Sequence, residues 1–364
     1  MRPVTVVGLA LVLCLAASVA LADQPAPEKF VIELSTEVTA LPFTLPSIPG
    51  FEMPDLNAPK HLLSGQAHYP TAAVEPIWVT VPATLAQPEN RLPLHVYKPG
   101  APVEEEPGEE TPDATPSQPR KFKLTLKLYW HPDVAHGPLT ETTEMSVPAG
   151  GGAMPGPGAA MPPMTDWEAE LDKIASGSTE ELPLDAAGQG NYVLNTGGLT
   201  ATLDGFLPPL KISQPGSLAE LDLTQPITVQ WKPVPGARGF ILHAMAMYSE
   251  AEAYTVVQWV STLNEPPERV KTDYEQATTI ADDLANGVLL PPETTSCVVP
   301  GGLFPANAQM FMLDVIAVGN DFYSQAEGAT VVGKIRSKWT GMKMSGMGML
   351  PGGLPPMDLE DEEG

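Results

Sequence analysis

The sequence predicts a mainly β protein: an antiparallel β-sandwich with one or two short helices, preceded by a β-rich N-terminal region and joined by flexible linkers. Three observations carry this. Apolar and polar residues alternate with period two in many short runs. Turn signals rich in proline and glycine separate nearly all of those runs. The 42 prolines and 32 glycines of the 364 residues are clustered, so ordered pieces alternate with connecting ones.

Residues 1–22 read as a signal peptide. Arg2 supplies the positive charge, Val4 to Val19 the apolar core, and Ala20-Leu21-Ala22 a small-x-small cleavage site that makes Asp23 the first mature residue. Leu13 before Cys14 lacks the small side chain that lipoprotein processing needs. The expected location is exported, in the periplasm or outside the cell, with no membrane insertion after cleavage.

Residues 23–148 form the expected β-rich N-terminal region. In "KFKLTLKLYW" Phe122, Leu124, Leu126, Leu128 and Trp130 share one face, and Lys121, Lys123, Thr125 and Lys127 take the other. "FVIEL", "PIWVTVP" and "RLPLHVY" alternate similarly, and Pro93 suits an edge position. The acidic, proline-rich stretch 98–120 reads as a disordered loop between paired strands. Residues 149–164 are a Gly/Pro/Met linker by composition. Residues 165–190 read as a short helix and connector, with Thr165 or Asp166 as N-cap and Trp167, Leu171 and Ile174 at helical spacing.

The predicted sandwich covers 191–340. One helix interrupts its strands at 272–287, where Thr272 and Glu275 form a capping box. Ala277, Ile280, Ala281 and Leu284 make its apolar stripe, and Gly287 ends it. Residues 341–364 read as a disordered, Met-rich acidic tail.

Within the sandwich, "ITVQWKPVPGARGFILHAMAM" places Ile227, Val229 and Trp231 on one side of a strand, turns through "PVPGARG", and resumes at Phe240. This stretch resembles fibronectin type III-like (Ig-like) modules. The resemblance implies that Trp231 packs between the sheets and that the turn carries the chain to the facing sheet; it implies no activity. More broadly, "NYVLNTGGLTATLDGFLPPL", "VQWKPVPGARGFILHAMAM", "LLPPETTSCVVPGGLF" and "RSKWT" resemble an uncharacterised family of exported bacterial proteins. That family has a Gly-Cys-Gly type turn after the "KLYW" strand, where this chain reads "HPDVAHGP".

A net charge of −25 repels phosphate backbones and anionic lipid, which argues against nucleic-acid and membrane partners. A protein or glycan of the cell envelope is the expected partner class. Past the signal only Cys297 remains, so no internal disulfide forms; its apolar setting reads as a buried small hydrophobe.

Motifs for chemistry are sparse. There is no G-x-S-x-G, H-E-x-x-H or C-x-x-C. "GATVVGKI" has phosphate-loop spacing up to Gly333-Lys334, but Ile335 replaces the hydroxyl and the run reads as a strand. "WHPDVAHGP" gathers His131, Asp133 and His136, too few ligands for a supported metal site and read as exposed polar residues. His243 reads as a satisfied imidazole, and Glu168 with Asp172 as a charged helix face. The sequence therefore predicts no catalytic, cofactor-binding or metal residues and no cofactor.

The unusual feature is methionine: Met342, Met344, Met347 and Met349 near the end, and Met154, Met161 and Met164 in the linker. Thioethers select Cu(I), and the other reading makes these residues linker and tail filler. The expected function is a non-enzymatic β-sandwich protein with a binding or structural role at the envelope. The alternative is periplasmic Cu(I) binding by the Met-rich tracts, and the third reading a glycan-active hydrolase.

Overall fold

The computed structural model describes residues 27–40, 55, 57–69, 76–96, 120–147, 174–250, 253–270, 274, 279–326 and 328–345. The N-terminal strands are β1 (Lys29–Ala40), β2 (Lys60–Tyr69), β3 (Ile77–Thr80), β4 (Arg91–Val96), β5 (Arg120–Trp130) and β6 (His136–Val147). Then come β7 (Ile174–Leu182), β8 (Gly190–Leu194), β9 (Thr200–Leu203), β10 (Ile212–Gln214), β11 (Ile227–Trp231), β12 (Gly239–Glu250) and β13 (Ala253–Val260). A short helix α1 (Ile280–Ala285) precedes β14 (Ser296–Val299), β15 (Met310–Val318), β16 (Phe322–Ala326) and β17 (Ala329–Met344).

The protein is mainly β, as the alternation predicts, but its large sheet is open and mixed. Its order is β6-β5-β13-β12-β15-β17-β1-β2-β7-β4-β3-β8-β9, with β16 also beside β17. Two of its ladders are parallel, β1 with β17 and β5 with β13. This corrects the expectation of antiparallel pairing throughout. It also joins the N-terminal strands and the 191–340 segment in one sheet. The physical reason is distance along the chain: hairpins force antiparallel neighbours, whereas strands brought together from far apart can pair either way.

Local differences have local causes. The expected helix at 165–176 lies outside the described residues up to 173, and from Ile174 the chain is β7, paired with β2 from Tyr69↔Ile174 to His61↔Leu182. β17 runs to Met344, past the expected start of the tail, because β15 pairs with it as far as Met310↔Met344. Pro93 stands where β4 has one neighbour, since the β7 ladder reaches only His95 and Val96. The expected signal peptide, acidic loop (to residue 119) and linker lie outside the described residues, as does the tail beyond Ser345.

The three-stranded sheet β10-β11-β14 shares the main core with one face of the large sheet. Phe30, Ile32, Leu34, Leu242, Leu313 and Val315 are buried from the large sheet, and Ile227, Val229, Trp231, Cys297 and Val299 from the small one. The Trp231 and Phe240 ring centroids are 5.2 Å apart, so the Pro-Gly turn does carry the chain from one sheet to the other. Burial of each such side chain contributes about 1.5–3 kcal/mol.

The opposite face of the large sheet has a second, smaller core. There Ile241, Val260, Ile316 and Val318 pack under Val270, Tyr274, Val288 and Leu289 of the connection between β13 and β14. α1 sits on this connection and is shorter than predicted. Its N-cap is Thr279, whose Oγ1 accepts the Asp282 N–H. The Thr272/Glu275 box lies outside the described residues. Ile280 and Leu284 of the predicted stripe pack, partly buried, against this core, while Ala281 is exposed. The most buried residue of α1 is Asp283, whose Oδ2 accepts from the Tyr274 hydroxyl at 2.6 Å. Gly287, at φ +66°, ends the turn as expected.

Candidate functional site

That second core covers only part of its face. Down the sheet from it, β12, β15 and β17 each carry an M-x-M pair, Met245/Met247, Met310/Met312 and Met342/Met344. Alternate residues of a strand point the same way, so each pair presents both thioethers on one face. The register aligns the pairs. Met245 stands opposite Met312, and Met312 opposite Met342; Met247 stands opposite Met310, and Met310 opposite Met344. Six methionines thus form two rows of three across adjacent strands.

Rows separated by two residues lie about 6.6–6.8 Å apart along a strand, and neighbouring strands about 4.7–4.9 Å apart. All six side chains are partly exposed, while the intervening Ala246 and Phe311 are buried. The methionines therefore do not belong to the main core. Gln258 Nε2 approaches Met245 Sδ at 4.0 Å, a weak hydrogen bond from the next strand. The adjoining row is polar: His243 pairs with Asp314, and Asp314 with Thr340, whose hydroxyl donates to Asp314 Oδ1 at 2.5 Å.

Between this platform and the helix-bearing connection lies a charged patch. β1 and β17 place Glu33 beside Lys334, Ser35 beside Arg336 and Glu37 beside Lys338. Arg336 Nη1 donates to Asp321 Oδ1 at 2.6 Å, with the two side chains 6% and 0% exposed. The same carboxylate oxygen accepts the Ile335 N–H at 3.0 Å. The guanidinium also lies 5.1 Å above the Tyr274 ring. Burial pulls the Arg336 pKa down, but the adjacent Asp321 carboxylate, with Glu33, more than offsets it and holds the group above its ordinary value. Burial, with the hydrogen bond and charge of Asp283, pushes the Tyr274 phenol well up.

A cavity of about 100 Å³ opens here, lined by Glu33, Ser35, Glu37, Tyr274, Ile316, Arg336 and Lys338. Small-molecule sites usually span about 300–1,000 Å³, so this one suits a few waters. Its mixed charges already offset one another.

The residues singled out by sequence are scattered. His131 and His136 do meet, with ring centroids 4.7 Å apart and planes within 8°. Stacked rings aim their in-plane nitrogens past a common point, and His131 Nδ1 lies 2.6 Å from the Pro132 carbonyl oxygen. Among the described residues no group of three or more His, Cys, Asp or Glu is arranged to hold a metal ion. Lys334 is buried within β17, so "GATVVGKI" is a strand and not a phosphate loop.

Cys297 is buried, and burial, with the Asp133 charge, pushes its thiol up to about 12. Glu168, Asp172, Met154, Met161, Met164, Met347 and Met349 lie outside the described residues. Met342 and Met344 are in the platform. Met245, Met247, Met310 and Met312 were not legible as partners, although M-x-M recurring in three strands was a usable signal. No family model, curated protein or solved structure matches the chain. Among the described residues no helix is long and apolar enough to cross a membrane.

Proposed function

We propose that this is an exported, non-enzymatic binding protein of the cell envelope, and that the methionine-bearing end of its large sheet is the binding face. The observation that carries the reading is the pair of cross-strand methionine rows, six thioether side chains aligned in register and left partly exposed on one face of the large sheet. Adaptable thioether side chains at a surface suit contact with a ligand more than internal packing. A fibronectin type III-like sandwich is the fold reading that goes with it. Trp231 in the small sheet, facing Phe240 across the Pro-Gly turn, supports it, as does the resemblance to exported bacterial proteins. The 1–22 segment supports export, with Asp23 as the mature N-terminus.

Oxidative footprinting tests the binding face. Purified protein and protein within envelope extracts are exposed to the same dose of hydrogen peroxide, and methionine sulfoxide is mapped by mass spectrometry. Protection of the six platform residues in the extract is the expected result. Equal oxidation in both preparations means that nothing occupies the face and overturns the reading. Intact mass of the protein recovered from the producing cells tests cleavage before Asp23.

A further inference from the structure

We propose that the two methionine rows are a site for soft monovalent cations of the Cu(I) and Ag(I) type, a ligand assignment that rests on reading this face as the binding face. Thioether sulfur is a soft, neutral donor that prefers Cu(I) to harder ions. A useful site needs several sulfurs able to converge, and the register supplies three in each row. Three strands span about 10 Å at the usual spacing. The unbranched methionine side chain, with three rotatable bonds, lets the outer two lean over the central Met312 or Met310.

The surroundings of the rows are mixed rather than wholly apolar. The platform's neighbours are His243, Asp314, Thr340 and Gln258, together with buried Val256, which stands opposite Met247. The strongly exposed apolar side chains among the described residues, Val134, Leu184 and Leu263, lie elsewhere. A net charge of −25 favours cation approach. Because a thioether carries no proton to displace, binding is retained at acid pH, where thiolate and imidazole sites lose metal. The assignment also relocates the soft-metal idea: the ligands are strand residues held in register, four of them outside the Met-rich tracts.

The test uses the full exported protein in chloride-free buffer, titrated with silver(I) nitrate and, anaerobically, with tetrakis(acetonitrile)copper(I). The readout is calorimetry together with NMR of ¹³C-methyl-labelled methionine. The expected result is one ion per row, with the six platform methyl resonances shifting and the same behaviour at acid and neutral pH.

Met→Leu conserves volume at a usual cost below about 1.5 kcal/mol, so it removes sulfur and keeps the fold, checked by thermal melting. Met245→Leu/Met312→Leu/Met342→Leu loses one ion; adding Met247→Leu, Met310→Leu and Met344→Leu loses both. Met154→Leu/Met161→Leu/Met164→Leu/Met347→Leu/Met349→Leu leaves binding unchanged. Each single substitution weakens its row by at least the roughly 10–100-fold that an outer-shell change costs a metal site.

Absence of binding by the unaltered protein, or loss only in the variant lacking the tract methionines, overturns the proposal. If footprinting still shows the face protected while silver and copper do not bind, the metal assignment fails and the binding face stands. If metal binds but no protection is seen in extracts, the reading of an occupied envelope face fails instead.

Discussion

Replacing Asp321 by Asn keeps an oxygen for the Ile335 N–H and removes only the charge facing Arg336. At 2.6 Å the pair has a gross attraction of roughly 6 kcal/mol at an effective dielectric of about 20, largely offset by the cost of desolvating both ions. The intact pair therefore contributes little net stability. Stranding one member is different: a buried charge without its partner costs about 3–5 kcal/mol. Glu33 also helps to keep Arg336 charged, which sets the expectation near the lower end, about 3 kcal/mol.

For a domain of this size that lowers Tm by roughly 6–12 °C. Urea unfolding followed by tryptophan fluorescence measures it. Arg336→Met should cost a similar amount by stranding Asp321. The double variant Asp321→Asn/Arg336→Met should recover to within about 1–2 kcal/mol of the parent, because neither charge remains and the Asn oxygen still accepts the Ile335 N–H. A loss under about 1 kcal/mol for Asp321→Asn, or a double variant whose loss equals the two single losses added together, would refute the reasoning.

Three further outcomes follow from the same structure. His61 is buried against Phe206, ring centroids 4.0 Å apart, and burial lowers its pKa below 6.5. The unfolded chain therefore takes up the proton first, so this contribution is present above pH 6.5 and is lost as pH falls towards the lowered folded value; denaturation across pH 4–8 should show it, and His61→Phe should flatten the slope. Cys297, its thiol pushed up to about 12, should react with iodoacetamide at pH 8 only as fast as the protein unfolds; rapid labelling of the native state would contradict its burial. A methyl group added at Gly333 would stand 2.6 Å from Leu203 Cδ2 and 3.1 Å from Phe322 Cβ, so Gly333→Ala should cost about 1–3 kcal/mol by overpacking, read from the denaturation midpoint.

The strands that sequence made legible are those with one wet and one buried side. In β5 Leu124 and Leu128 are buried while Lys123 is exposed, and in β11 Val229 and Trp231 are buried while Thr228 is exposed. β6 and β7 escaped for the opposite reason. "HGPLTETTEMSV" is an outermost strand that stays largely wet, and "IASGSTEEL" has glycine, serine and glutamate where an apolar row would be. Their places come from neighbouring ladders, which leave little mark on the strand itself. Alternation also says nothing about which distant strand lies alongside. For that reason the parallel ladders were missed, and the three M-x-M pairs were read apart, two within ordinary strands and Met342/Met344 in a disordered tail. The platform exists only in the register.

The longest parallel ladder sets a rule for how the molecule is made. Residue 29 must wait for residue 330 before its row of backbone bonds can close. Until the last strand has emerged, β1 lacks that neighbour, and so long a loop must be closed before any contact rewards it. Ladders between nearer strands, such as β1 with β2 and β5 with β6, can zip up ahead of it, so the seam between β1 and β17 is a late closure laid over pieces already formed.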